Sequence, residues 1–189
     1  MQMLEELKEL IRKLISFGVS GVNIEDGKGD KKLQLEDMDY QARKIQLIKE
    51  TALTCGVSLF VNARTDVYWN VFNESYIQAE EAIKRASAYR EAGADGIFVP
   101  GVHENNVIDH LIKHIELPVN LLAGKDTPDV KELTKLGVAR ISSGSGPFRA
   151  SLSLIRQVGE EFLHQGTYKS FSKNIISYDE MNRLFLEEV

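Results

Sequence analysis

Five short apolar runs, rich in β-branched residues, recur along the chain, and each ends in polar or glycine-rich residues. They are GVNIED (21–26), SLFVNART (58–65), GIFVPG (96–101), PVNLLAG (118–124) and ARISSG (139–144). Helical patterns separate them. Asp37 to Thr54 carries Ala42, Ile45, Leu47, Ile48 and Leu53, and Ser75 to Ala92 carries Ile77, Ala82, Ile83 and Ala86. Asn106 to Ile115 and Pro128 to Leu136 follow, and Pro147 to His164 comes after the last run. Gly56, Gly93 and Gly137 stand where helices stop, the usual place for a left-handed cap. Strands that alternate with helices require a parallel sheet with crossover connections. The runs read as buried on both faces, as parallel strands are.

A parallel sheet of this kind is either open and doubly wound or closed into a barrel. The open form usually carries G-x-G-x-x-G after its first strand, and none is present here. In a barrel, function sits at the carboxyl ends of the strands. This sequence places Glu25, Asp26, Asn62, Arg64, Asp66, Asn120, Ser142 and Ser143 at those ends. The predicted fold class is therefore α/β, of (β/α)8 TIM-barrel type. Such a barrel takes roughly 250 residues, whereas this chain has 189 and opens with a helix. The expectation is a barrel lacking its first three strands over residues 1–164, followed by a helical tail over 165–189.

Charge and composition narrow the partners. A net charge of -5 and a pI near 5.5 argue against nucleic acid or an anionic membrane surface. No apolar run approaches the roughly 20 residues of a membrane span. MQMLEELKELIRKLI is too charged for a signal peptide and places Leu4, Leu7, Ile11, Leu14 and Ile15 on one helical face. A single cysteine, Cys55, forms no internal disulfide, so a reducing cytoplasm is the expected location.

At this point the residues resemble a known family. GVNIEDGKGD, LFVNARTDVY, RASAYREAGADGIFVPG, PVNLLAG and LGVARISSGSGPFRAS are similar to the phosphoenolpyruvate mutase/isocitrate lyase superfamily, over nearly all of residues 4–160. The chain looks like its phosphonomutase-like and carboxyphosphonoenolpyruvate phosphonomutase-like members. The pairing of I-E-D with N-A-R-T-D is the specific part of the likeness. The resemblance implies a (β/α)8 barrel, a homodimer or homotetramer with a swapped last helix, and Mg2+. It also implies lyase or mutase chemistry on a C–C or P–C bond of a small 2-oxo acid or phosphonate, through an enolpyruvate-like intermediate. There a divalent cation neutralises the developing enolate and an arginine pairs with the carboxylate.

Carried onto this sequence, Glu25 supports the metal through water and Arg64 contacts substrate. Lys31 belongs to a mobile, catalytic loop over residues 27–34. Asn62, Asn120 and Ser143 complete the expected substrate contacts. There are departures. Leu33 stands where the lyase branch has its loop cysteine, so isocitrate or methylisocitrate cleavage is not expected. The mutase branch's loop Lys, Asn and Ser are not clearly matched, and Pro100 and Gly101 occupy positions that often hold Glu or His. The main metal-binding acids of the family belong to an upstream strand outside this sequence.

Each of these residues also has a plainer reading. Glu25 and Asp26 can be a solvated strand end, with Asp26 orienting the loop or pairing with a lysine. Arg64, in a buried strand, needs a partner: either an ion pair with Glu25 or Asp66, or a substrate carboxylate, which suits its planar fork. The turn Ser142–Pro147 is either an anion site at a helix start or an ordinary tight turn. Cys55 reads as a buried structural thiol. His110 and His114 read as a surface pair, and His103 is a weak candidate for the functional face. Tyr68, Trp69 and Phe72 read as packing or a pocket wall. Ser177 and Glu180 form a capping box for a helix through Glu188, with Met181, Leu184 and Phe185 apolar, docked on a neighbour or on its own barrel. The rival to an enzyme is a truncated, catalytically silent remnant serving as an oligomeric scaffold. A phosphate-binding barrel of another pathway is a third reading.

Overall fold

The computed structural model describes residues 2–29, 34–69, 75–172 and 175–186. Helices and strands alternate: α1 (Gln2–Ser16), β1 (Gly21–Glu25), α2 (Met38–Thr54), β2 (Phe60–Arg64), α3 (Ser75–Glu91), β3 (Gly96–Val99), α4 (Asn105–His114), β4 (Val119–Leu122), α5 (Val130–Leu136), β5 (Arg140–Ser142), α6 (Gly146–Gln165) and α7 (Tyr178–Arg183). Each strand pairs in parallel with the next, and the sheet order is β1-β2-β3-β4-β5. A doubly wound sheet reverses its order at a switch point. An order that never reverses is that of a barrel wall, with helices on one side only.

Strand periodicity sorts the side chains. Val61, Ala63, Ile97, Val99, Val119 and Leu121 share one buried cluster with Ile45 and Ile48 of α2, Ala82 and Tyr89 of α3, and Ile108 and Leu111 of α4. Each fully buried Ile or Leu contributes about 1.5–3 kcal/mol of hydrophobic stabilisation. The expected burial on both faces holds for β3 and nearly so for β2 and β4, but not for β1 and β5, and the face away from the helices carries Asn23, Asn62, Asn120 and Ser142. Asn62 Nδ2 donates to Asn23 Oδ1 at 2.8 Å and to Asn120 Oδ1 at 3.2 Å, and Ser142 Oγ donates to Asn120 Oδ1 at 3.0 Å. Hydrogen bonding is what makes burial of the Asn62 and Asn120 amides tolerable. Gly96, opposite Asn62, leaves the space for this layer: a Cβ there would lie 3.2 Å from Asn62 Oδ1.

The helices begin and end as their sequences dictate. Asp37 and Asp129 cap α2 and α5 by accepting from Tyr40 N and Glu132 N, both at 2.9 Å. Gly137, at φ 90°, closes α5. Cys55 corrects the expected buried thiol: it is exposed, in the turn that ends α2. His110 and His114 do form a surface pair, with ring centroids 4.3 Å apart and His110 bonded to Glu80.

Two compact units are present, Met1–Ser143 and Gly144–Val189. In the second, the carboxylate of Glu161 on α6 accepts from Thr167 Oγ1 and from the amides of Lys169 (2.6 Å) and Ser170 (2.7 Å). Phe162 stacks on Phe171 at 5.7 Å beside Tyr168. Hydrogen bonds from Ser170 and then Thr167 hold the Glu161 carboxyl down at about 2, from an ordinary 4.5. A depressed carboxyl pKa gives stabilisation that is complete above the unfolded value and lost as pH falls through the folded one. The clasp should therefore survive to pH 4.5 and open only towards pH 2. The amide shifts of Lys169 and Ser170 should titrate with a midpoint near 2 in NMR spectra, and Glu161→Gln should abolish that titration. A midpoint near 4.5 would mean the clasp does not form in solution. Ser177 caps α7 through Glu180 N at 3.2 Å. The helix ends at Arg183, where Phe185 N and Leu186 N bond three residues back and tighten the chain into a turn; the expected end, Glu188, lies outside the described residues.

Candidate active site

Parallel register places Glu25 opposite Arg64 at the carboxyl ends of β1 and β2. Arg64 Nη1 lies 3.0 Å from Glu25 Oε2. Its Nε and Nη2 donate to the two oxygens of Asp66 at 2.7 and 3.2 Å, a two-pronged grip that fixes the guanidinium plane. Trp69 lies with its ring centroid 4.6 Å from Arg64 Cζ, and Phe98 of β3 lies at 5.6 Å, so aromatic faces add to the hold. The ion-pair reading of Arg64 is thus realised with both candidate acids. The pair lines a cleft of about 250 Å³ with Gly27, Lys28, Gly29, Gln34, Asp66 and Trp69. Gly27 lets the loop pass over Asp66, since a Cβ there would fall 2.4 Å from Asp66 Oδ2.

The ends of the loop after β1 are tied together. Gly27 bridges Leu35 in antiparallel fashion, Lys28 N donates to Gln34 O at 2.9 Å, and Lys28 Nζ lies 3.6 Å from Glu36. The predicted catalytic Lys31, with Lys32 and Leu33, lies outside the described residues, as does Phe72.

Asp26 is not a solvated strand end, and among the described residues its ion-pair partner is an arginine, not a lysine. It is fully buried. Its Oδ1 accepts from Asp66 N at 2.9 Å, and its Oδ2 accepts from Arg85 Nη1 at 3.0 Å and Tyr89 OH at 2.8 Å. Arg85 Nη1 also donates to Glu36 O at 3.1 Å, and Arg85 Nε donates to Glu81 at 2.7 Å. Burial pushes the Tyr89 hydroxyl pKa up, and the Asp26 charge pushes it further. Burial opposes the charge on Arg85, but Tyr89, Glu81 and Asp26 outweigh it and the guanidinium pKa rises. Sequence reasoning passed over Arg85 and Tyr89. The signal was an arginine set into the buried stripe Ala82, Ala86 and Tyr89 of α3.

Of the other predicted contacts, Asn62 and Asn120 are 3% and 2% exposed and bonded to each other. Ser143 is exposed just beyond β5. These three do not line the Arg64 cleft. A second hollow of about 240 Å³ lies on the far side of Trp69, walled by Gly101, His103, Leu122, Lys125, Asp126 and Thr127 among others. Trp69 therefore walls both hollows rather than merely packing.

Mg2+ needs several oxygen ligands in near-octahedral array. Among the described residues no three acids or histidines are placed to hold a metal ion. Asp26 is buried on Arg85 and Asp66 is gripped by Arg64. Glu25, half-exposed in the cleft, fits a contact through water and no more. The described residues thus do not by themselves compose a Mg2+ site.

The sequence profile of the phosphoenolpyruvate phosphomutase family matches residues 2–163. An uncharacterised protein of Mycobacterium tuberculosis is 33% identical over 169 residues, which is 86% of this chain and 61% of that protein. An oxaloacetate decarboxylase of Pseudomonas entomophila is 28% identical over 142 residues, 71% of this chain and 46% of that enzyme. Among solved structures, one described as a candidate phosphonomutase from Burkholderia cenocepacia superposes with TM-score 0.78 at 34% identity, covering 87% of this chain and 64% of that one. A 2,3-dimethylmalate lyase of the PEP mutase/isocitrate lyase superfamily superposes at TM-score 0.76 over 97% of this chain and 62% of that one; at 21% identity it bears on the fold alone. The chain therefore spans about half to three-fifths of the length of the curated relatives it matches.

Proposed function

Because this chain belongs to the phosphoenolpyruvate phosphomutase family, we propose that it serves a lyase or mutase that works on a C–C or P–C bond of a small 2-oxo acid or phosphonate. The observation that carries this is the convergence of Glu25, Arg64 and Asp66 on one cleft from the ends of adjacent barrel strands. Asp66 and Trp69 preset the guanidinium plane. The substrate carboxylate takes the place that Glu25 now holds on Arg64 Nη1, and freed Glu25 turns to the cleft. Family members named for oxaloacetate decarboxylation and for phosphonomutase activity bracket the two bond types.

Mg2+ dependence is part of the proposal. Glu25 contacts the ion through water, with the remaining ligands coming from outside the described residues. The ion would neutralise the developing enolate. Lys31, Asn62, Asn120 and Ser143 remain proposed contacts that form on closure. A cytoplasmic homodimer or homotetramer is also proposed. Phe148, Ile155, Leu163 and Phe185 are 66%, 65%, 82% and 81% exposed, an apolar load that a neighbouring subunit would cover. Among the described residues no helix is long and apolar enough to cross a membrane.

The scaffold reading is favoured by one observation, the incomplete acid set around Glu25. Thermal melts with Mg2+ and oxalate, alone and together, separate the two. Oxalate mimics a planar enolpyruvate, and saturation to 100 times the dissociation constant should add about 2.7 kcal/mol of stability. The enzyme reading expects a shift only when both are present. Folded protein that shifts under no condition leaves the scaffold.

A further inference from the structure

We propose that Asp26 is a positioning residue: with Arg85 it fixes both the orientation of Arg64 and the base of the loop that follows β1. The effect on substrate binding rests on the carboxylate-binding role proposed for Arg64; the positioning geometry does not.

Asp26 ends the β1 run, and its carboxylate is fully buried although the cleft opens next to it. Its two oxygens serve two different elements. Oδ1 takes the amide of Asp66, the residue whose own carboxylate grips Arg64 through Nε and Nη2. Oδ2 takes Arg85 and Tyr89 from the outer helix α3. A third tie closes the frame: Glu36 N donates to Asp26 O at 2.7 Å, while Arg85 Nη1 donates to Glu36 O. One guanidinium from α3 thus holds the loop base on both sides, at Asp26 where the loop leaves the strand and at Glu36 where it returns. The order of contact runs α3, Arg85, Asp26, Asp66, Arg64. A shift in the Asp26 carboxylate moves the Asp66 backbone, and Asp66 sets the plane of the Arg64 fork.

Elsewhere in the sheet, buried polar groups meet like with like: Asn62 bonds Asn23 and Asn120 on the same face. Asp26 instead links the helix layer to the cleft. A carboxylate is required there because both oxygens must accept. Asparagine has the same shape but one acceptor, so its amide nitrogen would face either the Asp66 amide or the Arg85 and Tyr89 donors.

Trp69 supplies the readout. It is the one tryptophan in the chain and its ring lies 4.6 Å from Arg64 Cζ, so its emission reports the Arg64 position directly. The experiment compares the full chain with Asp26→Asn, Arg85→Lys and Arg64→Met, each shown by circular dichroism to be folded. It records Trp69 emission and titrates oxalate in the presence of Mg2+. Arg64→Met defines the emission of an indole without its cation.

Asp26→Asn is expected to move the emission towards that limit and to weaken oxalate about tenfold, the loss of one charge-assisted hydrogen bond's worth of alignment. Arg85→Lys keeps the charge, but its side chain is one atom shorter and its single nitrogen cannot also reproduce the Nε contact to Glu81, so the ammonium falls short of Asp26 and Glu36, which Nη1 reaches together; it should move both readouts in the same direction, and it carries the test if Asp26→Asn does not fold. A folded Asp26→Asn or Arg85→Lys protein with a lowered melting temperature but wild-type emission and wild-type oxalate affinity overturns the proposal, leaving Asp26 a structural ion pair only. Failure of the unaltered chain to bind oxalate, with emission still moving in Asp26→Asn, upholds the positioning and instead overturns the carboxylate role of Arg64.

Discussion

Arg85→Met should destabilise the barrel unit by about 3–5 kcal/mol, the cost of leaving one member of a buried ion pair without its partner. The side chains of Arg85 and Asp26 are 9% and 0% exposed, so water cannot replace the lost guanidinium. Methionine restores most of the volume, which separates the electrostatic loss from a packing loss. Asp26 keeps Asp66 N and Tyr89 OH, and these two donors set the lower end of the range. Glu36 O and Glu81 also lose a donor, but Glu81 stays partly exposed and can turn to water. Urea unfolding of the full chain, followed through the barrel unit, gives the value from the shift in midpoint at unchanged slope. The double replacement Asp26→Leu with Arg85→Met should recover much of the loss, because removing both charges removes the uncompensated one. A loss below about 1 kcal/mol, the size of an exposed pair, would mean that the site is wetter than its geometry indicates.

The alternation of strand and helix was legible because it depends on periodicity and on glycine stops, which are local. β3 shows where such reading ends. The run GIFVPG looked six residues long, yet the strand stops at Val99 because Pro100 has no amide to give and Gly101 turns at φ 97°. The expected helix over 37–54 opens on its capping residue Asp37, whereas the one expected from Pro128 is capped one residue later, by Asp129. The barrel was readable from an absent glycine fingerprint, and the unreversed strand order bears it out. The site was legible in part. Glu25 and Arg64 could be paired because adjacent parallel strands put their ends side by side. What Asp26 does could not be read, since its partners stand 59 and 63 residues away on α3 and only packing brings that helix face to it. The polar layer of Asn23, Asn62 and Asn120 was hidden for the same reason: alternation assigns a face, but not the contacts across it. Cys55 was assigned to the interior from residue type alone, and the α2 cap placed it outside.

Gly27→Ala should weaken oxalate by about 10–100-fold while leaving the fold nearly as stable as before. The added methyl would sit 2.4 Å from Asp66 Oδ2, closer than real Cβ contacts come, and a tight 3.2 Å from Asp66 Cγ, so the Asp66 carboxylate must swing away. Gly27 is not among the glycines with positive φ, and alanine therefore fits its backbone; reduced freedom of the unfolded chain even returns about 0.4–1 kcal/mol. The damage is confined to the site. Arg64 loses the two bonds of 2.7 and 3.2 Å that set its plane and keeps Glu25 and the faces of Trp69 and Phe98. One to two charge-assisted hydrogen bonds of alignment, about 1.5–3 kcal/mol, convert to that fold-change at 1.4 kcal/mol per decade. Calorimetric titration of oxalate with Mg2+ measures it, and Trp69 emission should move with it. Tighter binding would reverse the roles: Asp66 would then compete with the incoming carboxylate, and the closed arrangement of Glu25, Arg64 and Asp66 would be a self-inhibited one that substrate must break.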